Sequence, residues 1–191
     1  VDISIASATK YLSGHSDVML GAMTAGTEEI YKRLKDMAAR WGGSASPDDC
    51  YLVHRGLRTL DVRLERHQRT AFEKQPEVRR VLFPALPTDH GHDIWKRDFD
   101  GASGLFGVLL DPMSSADRSA FFDKLRLFKL GSSWGGFESL MVPAWPAPVR
   151  SCSMLEEGAL IRVHAGLETA ADLICDLEEA FARLRSVPKG V

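Results

Sequence analysis

Hydrophobic and polar residues alternate along Val1-Asp2-Ile3-Ser4-Ile5-Ala6, the period of an extended strand, and the pattern stops at the polar, glycine-containing residues 7–17. Residues 18–24 form a continuous apolar run of strand length, which predicts a second, buried strand. Thr27 then precedes Glu28 and Glu29, a cap followed by acids in a first helical turn, and Ile30, Leu34, Met37 and Trp41 recur at helical spacing until Gly42-Gly43. After the loop Ser44-Ala45-Ser46, Pro47 with Asp48 and Asp49 marks a new helix start. One helix is predicted from there to Gln75. It turns Leu52, Leu57, Leu60 and Leu64 inward and Arg58, Arg63, Glu65, Arg66 and Arg69 outward, with Gly56 at a close packing contact.

Past Pro76 the period changes. Val78–Leu82 and residues 104–110 read as strands, the glycine- and proline-containing stretch between them as a connecting loop, and Asp111-Pro112 as the close of the second strand. Ser114 or Ser115 caps a helix through Phe121, Leu125 and Phe128 that Gly131 stops. Residues 137–142 and 160–164 are two further predicted strands, and residues 169–184 a last amphipathic helix bearing Leu173, Leu177, Ala180, Phe181 and Leu184. This order predicts an α/β part at residues 1–70 and a small α+β domain at 71–191, with the boundary near 65 to 77 and no internal repeat.

With 191 residues, 45% of them hydrophobic and 26% charged, the chain can bury a substantial core. Its 24 basic and 26 acidic side chains leave a net charge of −2, which points to no nucleic-acid or membrane-surface partner. Cys50, Cys152 and Cys175 are odd in number and widely spaced, against a disulfide framework or a zinc site and in favour of a reducing, cytoplasmic setting. No apolar run approaches the roughly 18 residues of a spanning helix, and no charged-then-apolar leader precedes Val1. Because Val1 is not a methionine and the pattern enters in mid-core, the chain is expected to be a processed, cleaved or truncated piece.

Candidate chemistry begins at Lys10. In an extended segment Ser7 and Thr9 share one face and Lys10 points the other way, so two hydroxyls could hold a phosphate while an amine reaches a carbonyl carbon. By spacing alone such a lysine is more often a solvated turn residue. Arg162 lies inside an apolar strand pattern, where a guanidinium must find either a ligand carboxylate or a protein one. His90-Gly91-His92-Asp93 has two histidines but no third ligand at a recognisable spacing, so no metal is expected there, and Arg63 to Arg69 reads as a solvated or subunit-facing surface.

Ser7-Ala8-Thr9-Lys10-Tyr11 with Gly14-His15-Ser16-Asp17 and Gly21 resembles the cofactor-lysine signature of the Cys/Met-metabolism pyridoxal-phosphate enzymes, the cystathionine synthases and lyases. Ser132-Ser133-Trp134-Gly135-Gly136-Phe137-Glu138-Ser139-Leu140 and Leu160-Ile161-Arg162-Val163-His164-Ala165-Gly166-Leu167-Glu168 are similar to that family's substrate-carboxylate region. Ser-Trp-Gly-Gly, with residues 52–60 and 95–99, is more like the bacterial cystathionine β-lyases than the γ-lyases or γ-synthases. The resemblance runs over nearly the whole chain but covers only the C-terminal half of such an enzyme.

That resemblance implies a fold: the end of a large fold-type-I domain followed by a small α+β C-terminal domain. It implies pyridoxal 5′-phosphate as cofactor, Lys10 as Schiff-base partner and proton carrier, and Ser7 and Thr9 on the phosphate. Arg162, Ser133 and Trp134 are implied for the substrate carboxylate, although Trp134 as packing between domains stays open, and Tyr11 is read as packing or a hydrogen bond rather than a base. The implied reaction is β-elimination of cystathionine to homocysteine, pyruvate and ammonia. Alternatives are a γ-lyase or γ-synthase reaction and a non-catalytic assembly domain. The implied partners are an amino-acid substrate, a missing N-terminal half and further copies in a dimer of dimers, that is, a homotetramer. Since the family's aspartate at the pyridine nitrogen and its stacked tyrosine would precede residue 1, the piece alone is expected to be inactive.

Overall fold

A computed structural model describes residues 1–68, 76–144 and 157–188 of the chain, which form two compact units, Val1–Arg63 and Leu64–Val191. Gln75, Arg69 and Cys152 lie outside the described residues.

In the first unit β1 (Ile3–Ser7) pairs antiparallel with β2 (Gly21–Ala25), from Ile3 opposite Ala25 to Ser7 opposite Gly21. The second strand starts later than its apolar run and is not buried. Val18 turns into a small cluster with Ala8 and Val53, while Met19 and Met23 face water on a sheet of two strands. Helix α1 (Glu28–Arg40) is capped by the Thr27 hydroxyl, which accepts from Ile30 N–H, and ends before Gly42 at φ +70°. Its apolar stripe is present, yet none of its residues is buried.

The helix predicted from Pro47 to Gln75 is two helices, α2 (Pro47–Leu57), capped by Ser46, and α3 (Leu60–Gln68). The break has a local cause. The Gly56 carbonyl accepts from Thr59 N–H, the Thr59 hydroxyl and the Arg63 guanidinium, which replaces the next rung of the helical ladder. Arg63, expected outward, is therefore buried.

The second unit is a five-stranded sheet in the order β3 (Val78–Leu82), β4 (Leu105–Leu110), β7 (Ala159–His164), β6 (Leu140–Pro143), β5 (Lys129–Leu130). All pairs are antiparallel except β5 with β6. Phe106 opposite Val163 and Val108 opposite Ile161 put one apolar face against α5 (Ser115–Phe122) and α6 (Ala170–Arg185) through Phe121, Leu173, Leu177 and Phe181.

Three expectations differ. The stretch read as a loop contains α4 (His92–Asp98), begun where Asp89 accepts the N–H groups of Phe83 and Gly91. Helix α5, capped by a Ser114–Asp117 box, stops at Phe122 and not near Gly131, because the buried Asp176 carboxylate accepts the N–H groups of Arg126, Leu127 and Phe128. Strand β6 starts at Leu140, since Gly135 adopts φ +79° and turns the preceding residues into a loop. Among the described residues no helix is long and apolar enough to cross a membrane.

Candidate active site

Lys10 sits in a wide helical turn, Ala8–Leu12, that follows β1 directly. Ser13 N–H reaches back five residues to the Ala8 carbonyl (2.9 Å), Gly14 N–H donates to the Lys10 carbonyl (2.8 Å), and Lys10 itself departs from helical geometry at φ −90°, ψ −122°. Ser7 stays extended at the end of β1, but the turn replaces the extended backbone expected at Thr9 and Lys10, so the two-faced alternation does not apply. Thr9 Oγ1 accepts from Leu20 N–H (2.9 Å) and donates to the Leu20 carbonyl (3.3 Å), which ties the turn to the segment entering β2. The Ser7 hydroxyl does not cap the turn. Ser7, Thr9, Leu20 and Gly21 line a shallow groove of about 470 Å³.

Arg63 holds this turn from behind. Only 6% exposed, it donates from Nη1 to the Tyr11 carbonyl (2.9 Å), from Nη2 to the Gly56 carbonyl (2.8 Å) and from Nε to Thr59 Oγ1 (3.1 Å). Burial lowers its pKa, but a guanidinium stays charged and must be met by acceptors. Space for it exists because residue 14 is glycine at φ +69°: a Cβ there would lie 1.8 Å from Nη1. Gly56 is the close contact expected, with a Cβ falling 2.2 Å from the Ser13 carbonyl oxygen.

Arg162, Ser133 and Trp134 come together in the second unit. Arg162 lies on β7 opposite Val142 and Gly107, on the face away from Ile161 and Val163. Its Nη2 donates to the carbonyls of Ser133 (3.2 Å) and Gly131 (3.4 Å), and the guanidinium stands over the Trp134 ring at 5.1 Å. Among the described residues Nε is buried with no hydrogen-bond partner and Arg162 makes no ion pair. A positive charge held by carbonyl oxygens and a ring, with donors to spare, can receive a carboxylate.

Behind that arginine is a buried polar layer for which spacing gave no signal, since each bond spans about thirty or more residues. Gly135 N–H (3.1 Å) and the Gly136 carbonyl (3.2 Å) both approach His164 Nε2, and the ring of His67 lies 5.2 Å from that of His164, with Nδ1 2.7 Å from the Ala165 carbonyl. Glu168 accepts from Ser139 N–H (2.9 Å) and Oγ (2.8 Å), while Ser139 Oγ accepts from Gly166 N–H. Desolvation first of all pulls the pKa of His164 down to about 4, with the neighbouring charges of His67 and Arg162 acting in the same direction. Lys10 and Arg162 belong to different units. His92 and Asp93 fall in α4, and among the described residues no group of three or more His, Cys, Asp or Glu could hold a metal ion.

The family of Cys/Met metabolism PLP-dependent enzymes matches residues 1–182. The cystathionine β-lyase of Salmonella typhimurium is 43% identical over 195 residues, 96% of this chain and 49% of that protein. The L-alanine/L-glutamate racemase of Wolbachia pipientis is 42% identical over 193 residues, 96% of this chain and 48% of that protein. The crystal structure of cystathionine γ-synthase from Xanthomonas oryzae pv. oryzae in complex with aminoacrylate and cysteine superposes with a TM-score of 0.86 at 36% identity, over 97% of this chain and 51% of that one. The chain spans about half the length of the curated relatives it matches.

Proposed function

Because the chain belongs to the Cys/Met-metabolism PLP-dependent enzymes, whose cofactor is pyridoxal 5′-phosphate, we propose that it carries the lysine and the carboxylate anchor of a carbon–sulfur lyase that cleaves cystathionine by β-elimination. The observation that carries this reading is the Arg162 guanidinium, held by the Gly131 and Ser133 carbonyls and still able to take a carboxylate.

The residues of the first unit fit the cofactor's chemistry: a primary amine in a wide turn, a hydroxyl on Ser7, and an open groove in which a Cβ on Gly21 would meet nothing within 4 Å. Bound there, pyridoxal phosphate supplies an electron sink for charge developing at the substrate Cα. Ser7 donates to the phosphate, joined by Thr9, whose hydroxyl exchanges its long bond to Leu20 for a phosphate oxygen. Lys10 would hold the cofactor between turnovers and, once displaced, would take the proton from Cα and pass a proton to the departing sulfur as the Cβ–S bond breaks. Arg162 fixes the α-carboxylate, with Trp134 beneath the guanidinium and Ser133 beside it, so that the Cα–H bond keeps one orientation.

Half-length coverage belongs to the same reading. Residues 1–63 are the C-terminal part of a cofactor domain whose remainder, with the group that meets the pyridine nitrogen, lies in a longer protein. That protein works as a cytoplasmic oligomer, a dimer of dimers, and the 191-residue chain alone does not turn over.

The relatives include a racemase and a γ-synthase, and the chemistry of all three reactions begins with removal of the Cα proton and diverges afterwards. Incubating the longer protein with L-cystathionine separates them: pyruvate with homocysteine is expected. Release of 2-oxobutyrate with cysteine would transfer the assignment to a γ-lyase, and loss of optical activity from L-alanine without elimination to a racemase. Pyruvate formed by the 191-residue chain would refute its incompleteness.

A further inference from the structure

We propose that His164 is a positioning residue for substrate: through Nε2 it holds the Gly135 and Gly136 peptide against β7 and thereby keeps the Ser133 carbonyl and the Trp134 ring on the Arg162 guanidinium. The inference rests on the reading of Arg162 as the carboxylate anchor.

Arg162 and His164 are two residues apart on one strand and so share a face, opposite Val142 and Leu140 of β6. The two carbonyls and the ring that hold the anchor come from the loop between β5 and β6. That loop is pinned at its start, where Gly131 N–H donates to the Met141 carbonyl (3.0 Å), and at its end, where Ser139 is bonded to Glu168 and Leu167 N–H donates to the Phe137 carbonyl (2.9 Å). His164 reaches its middle.

The link survives a change of tautomer. With the proton on Nδ1, Nε2 accepts from Gly135 N–H; with the proton on Nε2, it donates to the Gly136 carbonyl. His67, packed on the ring and bonded to Ala165, keeps the imidazole from turning away. Gly135 at φ +79° shapes the turn so that its amide faces the ring. A loop displaced by a few tenths of an ångström would stretch the 3.2 Å and 3.4 Å bonds that orient the guanidinium, so the effect should fall on carboxylate binding rather than on the amine chemistry.

The test uses the longer protein loaded with pyridoxal phosphate and titrated with L-alanine or L-alaninamide, reading the cofactor's visible absorbance. Melting temperature is recorded alongside. R162Q should weaken L-alanine at least about tenfold and leave L-alaninamide within about twofold, the effect of one charge-assisted bond. H164L should weaken L-alanine by about three- to tenfold with L-alaninamide nearly unchanged, and H164Q, whose amide reaches as far as Nε2, should restore it to within about twofold. Should H164L not fold, H164N against H164Q decides the matter, since an asparagine amide stops short of the glycine peptide. Equal weakening of both ligands, or none, by the His164 variants while R162Q discriminates overturns the positioning role alone. R162Q that weakens neither ligand selectively overturns the carboxylate reading and this proposal with it.

Discussion

Arg63 and Arg162 are both guanidiniums bonded to carbonyl oxygens, yet they serve opposite ends: three donors of Arg63 are taken by Tyr11, Gly56 and Thr59, whereas Arg162 keeps Nε without a partner. Among the described residues Arg162 donates through Nη2 alone, and that difference separates a structural clamp from a receptor. At Gly56 two effects compete: alanine in a helix interior gains about 1 kcal/mol over glycine, but its Cβ would sit 2.2 Å from backbone oxygen that cannot swing aside. G56A should therefore lower the urea midpoint, and a raised midpoint would show that the Ser13 segment yields. His164 gives a second prediction. Its folded pKa of about 4 lies below the ordinary 6.5, so protons bind the unfolded chain better. The stability linked to the neutral ring is complete above pH 6.5 and is lost as pH falls toward 4, by roughly 3 kcal/mol in all. Melting temperature should drop over that window in the native protein and less steeply in H164Q.

Among elements, a side chain rather than backbone pairing joins α6 to the segment that follows α5. Asp176 of α6 accepts three backbone N–H groups from the segment that leaves α5, so D176A strands buried donors and should cost about 3 kcal/mol or more. T169A, which removes an exposed cap from the same helix, should cost about 1 kcal/mol. Urea titration of the two variants checks the order, and equal losses would mean that water replaces the carboxylate. The caps at Thr27 and Ser114, the helix start at Pro47 and the strands around Val108 and Ile161 could be read from the sequence because each signal lies within a few residues. The early end of α5 and the burial of Arg63 could not, since the acceptors or donors that cause them are tens of residues away. Helical spacing says which way a residue points, and not whether carbonyl oxygens wait there. The site shows the same limit. The apolar pattern put Arg162 on a strand and the resemblance grouped Ser133 and Trp134 with it, but only the fold shows the Ser133 carbonyl on its guanidinium and His164 against the Gly135 amide.

At the scale of the molecule the two units are unequal in what they hide. Residues 64–191 bury a continuous core around Phe121, Val163 and Phe181, while residues 1–63 bury Ala8, Val18 and Val53 and leave Ile5, Met19 and Trp41 at 76%, 87% and 83% exposure. Apolar surface of that kind drives association in water. The 191-residue chain on its own should bind a hydrophobic dye and grow in hydrodynamic size with concentration, and the longer protein should do neither. A monomeric chain that leaves the dye dark would mean this surface is tolerated. The ribbon of β1 and β2 adds a direction to that tendency. With no third strand among the described residues, each of its two flanks offers a row of backbone amides and carbonyls, so a neighbour can zip on from either side. When that neighbour is another copy of the same ribbon, the template is renewed at every addition, and what begins as docking can end as a filament.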